Sequence, residues 1–402
     1  MPKRPGIVCD GAIRSIIHIQ RLYGPITIYP LNSSPVEDMD LTILICTHNS
    51  AVRLPETLRH LKNQKHAENI AWEVLIVDYL STDDTANIAR KVWKDCPVSL
   101  RILNETKPGK TPALETGLHA ARGAAVCIID DDNWVFEDYV FVAHTTLRGH
   151  PDIGVIGAYG EAHCEIEPPH WFAENEGSYA VGSQGKDSGY VEDKRRLWFW
   201  GAGSVVRKEA WLKAKRRGFV PRLNPTRGAE STQFKKGFIG GEDPELCFAI
   251  QLVGYRLWYE PSLKYKHFIP QARLSEKFIL DAASGVSAAA PILRIYLAEV
   301  SPRSFLGLVR KTIYKKWLLH LLYIYYNFAR SLIKLYFISN MIDKALTNAM
   351  IKSSFNAQIR AMWDLRKTFK NLVGSIHDLT IICDEGHPLK NRTRIIFIKN
   401  DK

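Results

Sequence analysis

The sequence predicts an α/β protein built on a mostly parallel sheet with helices on both faces. From residue 41 onward, apolar runs typical of strands alternate with segments of helical spacing. The runs are continuously apolar, which is typical of strands that are buried on both faces. A length of 402 residues and a hydrophobic content of 46% describe an ordinary globular protein with room for two or three domains.

The predicted strands and helices follow one another in order. Strands are predicted over residues 41–46, 72–78, 100–103, 124–129 and 153–159, with short candidates at 255–259 and 263–267. Helices are predicted over residues 54–61, from the 81–84 loop to about 93, and over 113–122, 136–148 and 246–253. Ligands of such sheets bind beyond the carboxyl ends of the strands. Asp78 and Asp130 both end strands, so we expect them at the same edge.

Three consecutive carboxylates, Asp130, Asp131 and Asp132, follow the apolar run that ends at Ile129. Adjacent acids repel one another and need water, a donor or a cation to stay ionised. Mg²⁺ and Mn²⁺ prefer carboxylate oxygens and complete their shells with water and substrate phosphate. The alternative is a solvated turn that leads into a helix, because two further acids follow.

A second acidic segment, Gly240–Glu245, opens a predicted helix with acids in its first turn. Between the two acidic segments lies a loop-rich stretch, residues 161–196, of the kind that often forms a substrate-facing insertion. Gly201 and Gly203 interrupt the aromatic run that follows, which indicates close backbone approach to another group.

These residues together resemble the family 2 glycosyltransferases, which have the GT-A fold and transfer sugars from nucleotide-diphosphate donors. The resemblance covers about residues 41–268. It rests on four motifs in order: ILICTHN, VDYLSTDDT, IDDDNW and, about 110 residues later, GGEDPE. The resemblance implies a GT-A sheet and an inverting transfer of one sugar to a hydroxyl acceptor.

On the donor side, Thr47 and Asp78 resemble the positions that hold the nucleotide base and ribose. Asp83 supports their loop, and Lys110 resembles the loop residue that approaches the nucleotide. Glu115 departs from the family pattern, where Asn is common, and Tyr79-Leu80 replaces a small or polar pair.

On the metal side, the resemblance implies that Asp130 and Asp132 bind Mn²⁺ or Mg²⁺ and that Asp131 faces the ribose. Asp243 resembles the base that deprotonates the acceptor, with Glu242 as its neighbour. His267 is a candidate additional metal ligand. Its alternative is an ordinary hydrogen-bonded histidine at a strand end.

The donor is therefore expected to be a nucleotide-diphosphate sugar, and the acceptor a saccharide or a lipid-linked sugar of polysaccharide or glycolipid biosynthesis. Residues 271–274 only faintly resemble the QxxRW motif of processive synthases, because the Trp is missing, so transfer of a single sugar is favoured. The rival functions are a sugar-phosphate nucleotidyltransferase, which would need a glycine-rich phosphate loop after the first strand, and a catalytically inactive membrane-bound scaffold.

The net charge of +12 is confined to the end of the chain. Residues 301–402 hold 18 basic and 6 acidic side chains, and residues 1–300 hold 36 of each. This distribution does not fit a nucleic-acid-binding protein. The seven scattered cysteines, without a CxxC pair, indicate a reducing, cytoplasmic location.

Residues 304–338 are apolar, aromatic and basic, and their longest uncharged run is the 13 residues 317–329. A spanning helix needs about 20 apolar residues, so this run is too short. Polar residues recur in this segment at helical spacing: Lys316, His320, Asn327, Arg330 and Lys334. They predict a cationic stripe along a helix that lies on an anionic membrane, at the inner face of the cell membrane. The alternative is a helix that packs on the catalytic domain or in a homo-oligomer.

We therefore predict three regions. Residues 1–38 form an N-terminal arm without an assigned role, residues 39–300 form the catalytic domain, and residues 301–402 form a basic helical appendage.

Overall fold

A computed structural model describes residues 39–191, 197–223, 240–301, 305–337 and 343–380. They belong to one compact unit that begins at Asp38 and is not divided at residue 300. The predicted arm, residues 1–38, and most of the tail from residue 379 lie outside the described residues. The predicted boundary at residue 300 stays a prediction.

Nine strands of the described chain form one sheet. They are β1 (Leu41–Thr47), β2 (Trp72–Tyr79), β3 (Ser99–Glu105), β4 (Ala125–Asp130), β5 (Asn133–Val135), β6 (Ile153–Cys164), β7 (Gly189–Tyr190), β8 (Ser204–Arg207) and β9 (Arg256–Ile269). Their order is β3-β2-β1-β4-β8-β6-β9-β5, and β7 pairs with β9. Strands β3, β2, β1 and β4 are parallel, and β8 begins the mixed half of the sheet.

The register of these strands places the predicted site residues at one edge. Thr47 lies opposite Asp78 on β2, and Cys46 lies opposite Asp130 on β4. The expectation that Asp78 and Asp130 share the carboxyl edge of the sheet is therefore confirmed.

Eleven α-helices accompany the strands in the described chain. They are α1 (Leu54–Lys62), α2 (Thr85–Trp93), α3 (Lys110–Ala120), α4 (Tyr139–Gly149), α5 (Lys208–Arg216), α6 (Glu242–Leu252), α7 (Glu276–Val300), α8 (Phe305–Lys315), α9 (Trp317–Phe337), α10 (Lys344–Leu365) and α11 (Phe369–Asp378). Two 3₁₀ helices, Ala173–Tyr179 and Gln271–Arg273, adjoin the site.

Both faces of the sheet are apolar and covered. Along β1, Leu44 belongs to one buried cluster, whereas Ile43 and Ile45 belong to a second. Strand β2 alternates in the same way, with Leu75 in the first cluster and Val74 in the second. The continuous apolar runs thus reflect two buried faces, and the α/β prediction, with helices on both faces of the sheet, is confirmed.

Strand β9 differs from the prediction of two short strands. The chain continues across Pro261 because the Glu260 carboxylate accepts hydrogen bonds from the amide and hydroxyl of Ser262. The register with β6 jumps there, from Gly157 opposite Tyr259 to Tyr159 opposite Lys264. This bulge absorbs the proline and joins both candidates into one strand.

The C-terminal helices share the core of the sheet. Helix α10 packs along α7, and Met362, Leu365 and Ile376 are buried in the same cluster as Leu44 of β1. Within the described chain, α7 is long and apolar enough to cross a membrane. Its Ile292 is fully buried, as is usual for a core helix.

The predicted helix over residues 304–338 is divided at Lys316 into α8 and α9. The predicted cationic stripe is wrong for His320, which is fully buried against Tyr314 and Phe369. Burial and repulsion from Arg294 lower the pKa of His320 to about 3, so this ring is neutral. Lys316, Arg330 and Lys334 of the stripe are exposed.

Candidate functional site

Each of the three consecutive aspartates meets a different cation. Lys110 Nζ lies 2.6 Å from Asp130 Oδ1, Arg53 Nε lies 3.3 Å from Asp131 Oδ1, and an Arg273 guanidinium nitrogen lies 3.1 Å from Asp132 Oδ2. The mutual repulsion predicted from the sequence is therefore relieved by three separate ion pairs. The three partners come from three different segments of the chain.

Asp131 is held by the loop after β1. Its Oδ2 accepts hydrogen bonds from the hydroxyls of Thr47, at 2.8 Å, and Ser50. Thr57 of α1 donates to the Asp131 carbonyl oxygen at 2.9 Å. Thr47 and Asp131, both predicted to hold the nucleotide, thus contact each other, and together they fix the acidic loop against β1.

Asp132 lies beside His267, which β9 places opposite Asn133 of β5. The Nδ1 of His267 is 2.6 Å from the Tyr179 carbonyl oxygen, so Nδ1 carries the proton and donates it. Its Nε2 faces Asp132 Oδ1 at 3.4 Å. The cationic Arg273 adjoins both groups, with Nη1 3.3 Å from this Nε2 and 3.1 Å from Asp132 Oδ2.

These residues fit a divalent metal. Metal-binding histidines commonly donate their other ring N–H to a backbone carbonyl, as His267 does to Tyr179. A carboxylate oxygen and an imidazole nitrogen suit Mn²⁺, which completes its shell with phosphate and water. No group of three or more His, Cys, Asp or Glu side chains is assembled for a metal in the described residues. Asp130, also predicted as a ligand, pairs with Lys110 in this structure, and its role as a metal ligand stays a prediction.

The electrostatics of Asp132 agree with this arrangement. Burial alone would raise the pKa of Asp132, but the interactions with His267 and Arg273 outweigh burial and hold it well below its usual range. The Asp132 side chain therefore stays ionised.

Lys110 connects the acidic loop with the second acidic segment. It is the first residue of α3 and follows Gly109, whose φ of 112° is favoured by glycine. Burial would lower the pKa of Lys110, but attraction from Asp130, Asp243 and Glu242 raises it well above its ordinary value. A single half-buried ammonium thus interacts with carboxylates from two distant segments.

Glu242 and Asp243 open α6 directly after Gly241, whose φ is 110°. Burial raises the pKa of Asp243, and burial together with repulsion from Asp243 raises that of Glu242. The Gly201 backbone bonds to Asp243, and a Cβ at Gly201 would lie 2.2 Å from Asp243 Oδ1. The close approach predicted for Gly201 is therefore to this carboxylate.

Asp78 and Asp83 order the loop on the proposed nucleotide side. Asp78 is buried, and its Oδ1 accepts from the Ser81 amide at 3.1 Å. Asp83 accepts from the Ala51 and Thr85 amides, each at 3.1 Å. The bond of Asp83 to Thr85 lowers the pKa of this exposed carboxylate. Glu115, the departure from the family pattern, lies 2.5 Å from Lys215 Nζ.

Sequence reasoning did not assign roles to Ser50, Arg53 or Arg273. Ser50 and Arg53 lie only a few residues after the ILICTHN motif. Their hydroxyl and guanidinium groups are hydrogen-bond donors, and this could have marked them as candidate partners of Asp131. Arg273 was considered only within the faint QxxRW resemblance. It reaches Asp132 across 141 residues of sequence, which local spacing does not reveal.

Comparison with known families gives one match, Glycosyl transferase family 2, over residues 42–199. The matched segment contains Thr47, Asp78, Lys110 and the three aspartates. Residues 42–199 thus resemble a family 2 glycosyltransferase domain. The structure extends that domain beyond the match, because β9 and α6 supply His267 and Asp243.

Relatives of the family 2 domain include a dolichyl-phosphate beta-glucosyltransferase of Dictyostelium discoideum, 27% identical over 116 residues. That alignment covers 27% of this chain and 36% of the relative. The putative glycosyltransferase EpsH of Bacillus subtilis is 28% identical over 104 residues, which is 26% of this chain and 29% of EpsH. The chain spans about a third of the length of these curated relatives.

Solved structures similar to this chain include S. aureus TarS 1-349 in complex with UDP-GlcNAc, at a TM-score of 0.46 and 16% identity, covering 82% of this chain and 92% of TarS. The mannosyltransferase PcManGT from Pyrobaculum calidifontis, in complex with GDP-Man and Mn²⁺, gives a TM-score of 0.46 at 18% identity, with 92% and 93% coverage.

Proposed function

We propose that the chain is a metal-dependent, inverting glycosyltransferase that moves one sugar from a nucleotide-diphosphate donor to a hydroxyl acceptor. The observation that carries the proposal is the meeting of two acidic segments at one sheet edge. Asp132 and His267 lie together on one side and Asp243 lies on the other, with the positive charge of Lys110 between them. The family 2 domain supports the reaction class.

In this reaction the acceptor oxygen attacks the anomeric carbon and forms the new C–O bond. The bond from that carbon to the diphosphate breaks, and the nucleoside diphosphate leaves with the electron pair. Asp243 takes the acceptor proton on a carboxylate oxygen. Burial raises the pKa of Asp243 and so makes it a stronger base than an ordinary aspartate, and general-base catalysis is typically worth about 10²–10⁴-fold.

The donor is placed by the protein groups at the carboxyl edge. We assign Thr47, Asp78 and Asp83 to the walls that receive the base and ribose, and Lys110 to the diphosphate side. Asp132 and His267, together with Asp130 as predicted, would hold Mn²⁺ or Mg²⁺, which would supply Lewis-acid stabilisation of the charge on the leaving group.

The acceptor is proposed to be a saccharide or a lipid-linked sugar in polysaccharide or glycolipid assembly, made in the cytoplasm. The seven cysteines agree with a reducing location. In the described residues, Cys46, Cys96, Cys127, Cys164 and Cys247 are free thiols.

Calorimetry with UDP and GDP, with and without Mn²⁺, tests the two halves of the site separately. We expect Mn²⁺ to strengthen nucleotide binding at least tenfold, and expect Asp132→Ala and His267→Gln to remove this enhancement. Asp281→Asn, on the exposed surface of α7, is the matched control. Enhancement that survives both site variants would refute the metal assignment.

Transfer is tested with a panel of nucleotide sugars and saccharide or lipid-linked acceptors. Asp243→Asn should lower turnover at least 100-fold and leave Mn²⁺-dependent nucleotide binding within twofold of the wild type. Loss of both together would reject the base assignment. Release of pyrophosphate would identify the nucleotidyltransferase alternative, and nucleotide binding without turnover of any donor would identify the inactive scaffold.

A further inference from the structure

Helix α9 presents an exposed apolar face. Six large side chains on it have exposed fractions between 56% and 83%: Leu318, Leu322, Tyr326, Ile333, Tyr336 and Phe337. At 3.6 residues per turn these positions fall within about 100° of arc. The buried residues of the same helix, His320 and Ile324, lie on the opposite side. The face is therefore directed away from the core.

The extent of this face is unusual for a monomer surface. Single exposed apolar residues are ordinary, but contiguous patches above a few hundred Å² mark an interaction site. Each of these side chains is more than half exposed, and an aromatic side chain alone has roughly 150–250 Å² of surface. Six of them together exceed that threshold.

The positive charge around this face favours a negatively charged partner. Residues 305–337 contain six Lys or Arg and no Asp or Glu. Arg330 and Lys334 are exposed at one border of the face, and Arg310 and Lys316 are exposed near its N-terminal end. A second copy seated on this face would bring these cations together without a carboxylate from the same helices to pair them.

We propose that the apolar face of α9 and its bordering cations dock on an anionic lipid surface. The apolar side chains enter the boundary between headgroups and acyl chains, and Arg330 and Lys334 meet the lipid phosphates. The tyrosines suit the boundary between headgroups and acyl chains because their rings are apolar and their hydroxyls remain hydrated. The proposal does not depend on the reaction proposed above.

Vesicle flotation of the full chain tests the proposal, with phosphatidylcholine alone compared with a mixture of phosphatidylcholine and phosphatidylglycerol. We expect binding only to the anionic vesicles, weakening as salt is raised. Arg330→Gln/Lys334→Gln should weaken binding about 30-fold, since each cation contributes about 1 kcal/mol at such a surface and 1.4 kcal/mol is tenfold. Lys352→Gln/Lys370→Gln, at exposed positions of α10 and α11, is the matched control.

Leu322→Ser/Tyr326→Ser should weaken vesicle binding at least tenfold, whereas Phe141→Ser, on α4 and outside the face, should not. All these positions are exposed, so circular dichroism should be unchanged. A wild-type chain that stays with the unbound fraction, or site variants that bind like their controls, would overturn the proposal. Dimers that dissociate in Leu322→Ser/Tyr326→Ser, without vesicle binding by the wild type, would assign the face to a second copy.

Discussion

At the scale of single residues, the site depends on a glycine and a lysine as much as on its carboxylates. Gly201 leaves the space that Asp243 occupies, and Lys110 supplies the charge that both acidic segments share. Neither residue reacts in the proposed chemistry. Each instead controls the position or the protonation of the residue that does.

Gly201→Ala is expected to displace Asp243, because the added Cβ would lie 2.2 Å from Oδ1 and 2.7 Å from Cγ of that side chain. Turnover should fall at least 100-fold, the loss typical of a displaced reacting group, while Mn²⁺-dependent nucleotide binding stays within twofold. Gly149→Ala, where no atom lies within 4 Å of the new Cβ, is the control. Full turnover in Gly201→Ala would show that the position of Asp243 does not matter for the reaction.

Lys110→Gln is expected to move the pH dependence of turnover at saturating donor. The lysine lowers the pKa of Asp243, which burial raises, so its removal raises that pKa further. The base then loses its proton only at higher pH, so the midpoint of the rising limb should shift to higher pH. Lys107→Gln, on the exposed part of the same loop, should keep the wild-type midpoint. An unchanged midpoint in Lys110→Gln would contradict the electrostatic role.

At the scale of elements, Glu245 ties α6 to its surroundings. Its Oε2 accepts from the backbone amides of Arg222 and Leu223, at 2.9 and 3.0 Å, and Tyr296 of α7 donates to its Oε1 at 3.1 Å. Burial raises the pKa of Glu245 to about 7, although these donors lower it. The helix that carries Asp243 is thus anchored by a buried glutamate with an unusual titration.

Glu245→Gln is expected to become more stable relative to the wild type as pH rises. Because the folded pKa exceeds the unfolded one, the folded wild type binds more protons between about pH 4.5 and 7, so its free energy of unfolding falls across that window. The glutamine variant does not lose this stability, because its side chain does not titrate. The loss in the wild type amounts to roughly 3 kcal/mol over the whole window. Melting temperatures at pH 5 and pH 8 measure the difference. Glu276→Gln, an exposed acid of α7, should show no such trend, and a pH-independent difference for Glu245→Gln would refute the linkage.

The sequence predicts those helices and strands that are determined by neighbouring residues, and it does not predict those that depend on distant contacts. Strands β1 to β4 and their helices were predicted because their apolar runs are long and continuous. Strand β5 was missed because three residues give no periodicity, and β9 was divided because Pro261 normally ends a strand. Interactions such as the ion pair of Arg273 with Asp132, or the electrostatic attraction of Lys110 for Asp243, join segments more than 100 residues apart, and only the assembled sheet shows them.

At the scale of the whole molecule, the C-terminal helices have two roles in the structure. Helices α10 and α11 complete the core on one face of the sheet, whereas the outer side of α9 faces away from it. The inner helices of this basic quarter thus pack in the same core as the sheet, whereas α9 leaves one face exposed.

Ile376→Ala is expected to destabilise the whole unit, because this α11 side chain is fully buried in the cluster that also contains Leu44 and Leu75 of the sheet. The loss should be about 2–4 kcal/mol, as for other large-to-small core substitutions. Chemical denaturation followed by tryptophan fluorescence measures it. Asn371→Ala, at an exposed position of α11, should change stability by less than about 0.5 kcal/mol. Equal effects of the two variants would show that α11 is not part of the core.

The position of β9 also bears on how the protein is made. This strand comes last in sequence among those of the described sheet, yet it lies between β6 and β5, and β5 follows directly on the three aspartates. A ribosome-bound chain that ends before residue 256 has no partner for β5 and no His267 or Arg273 beside Asp132. Such late, long-range pairing is slow. We expect the nascent chain to acquire nucleotide affinity only after β9 has emerged, so protection from proteolysis by added nucleotide should appear late in synthesis.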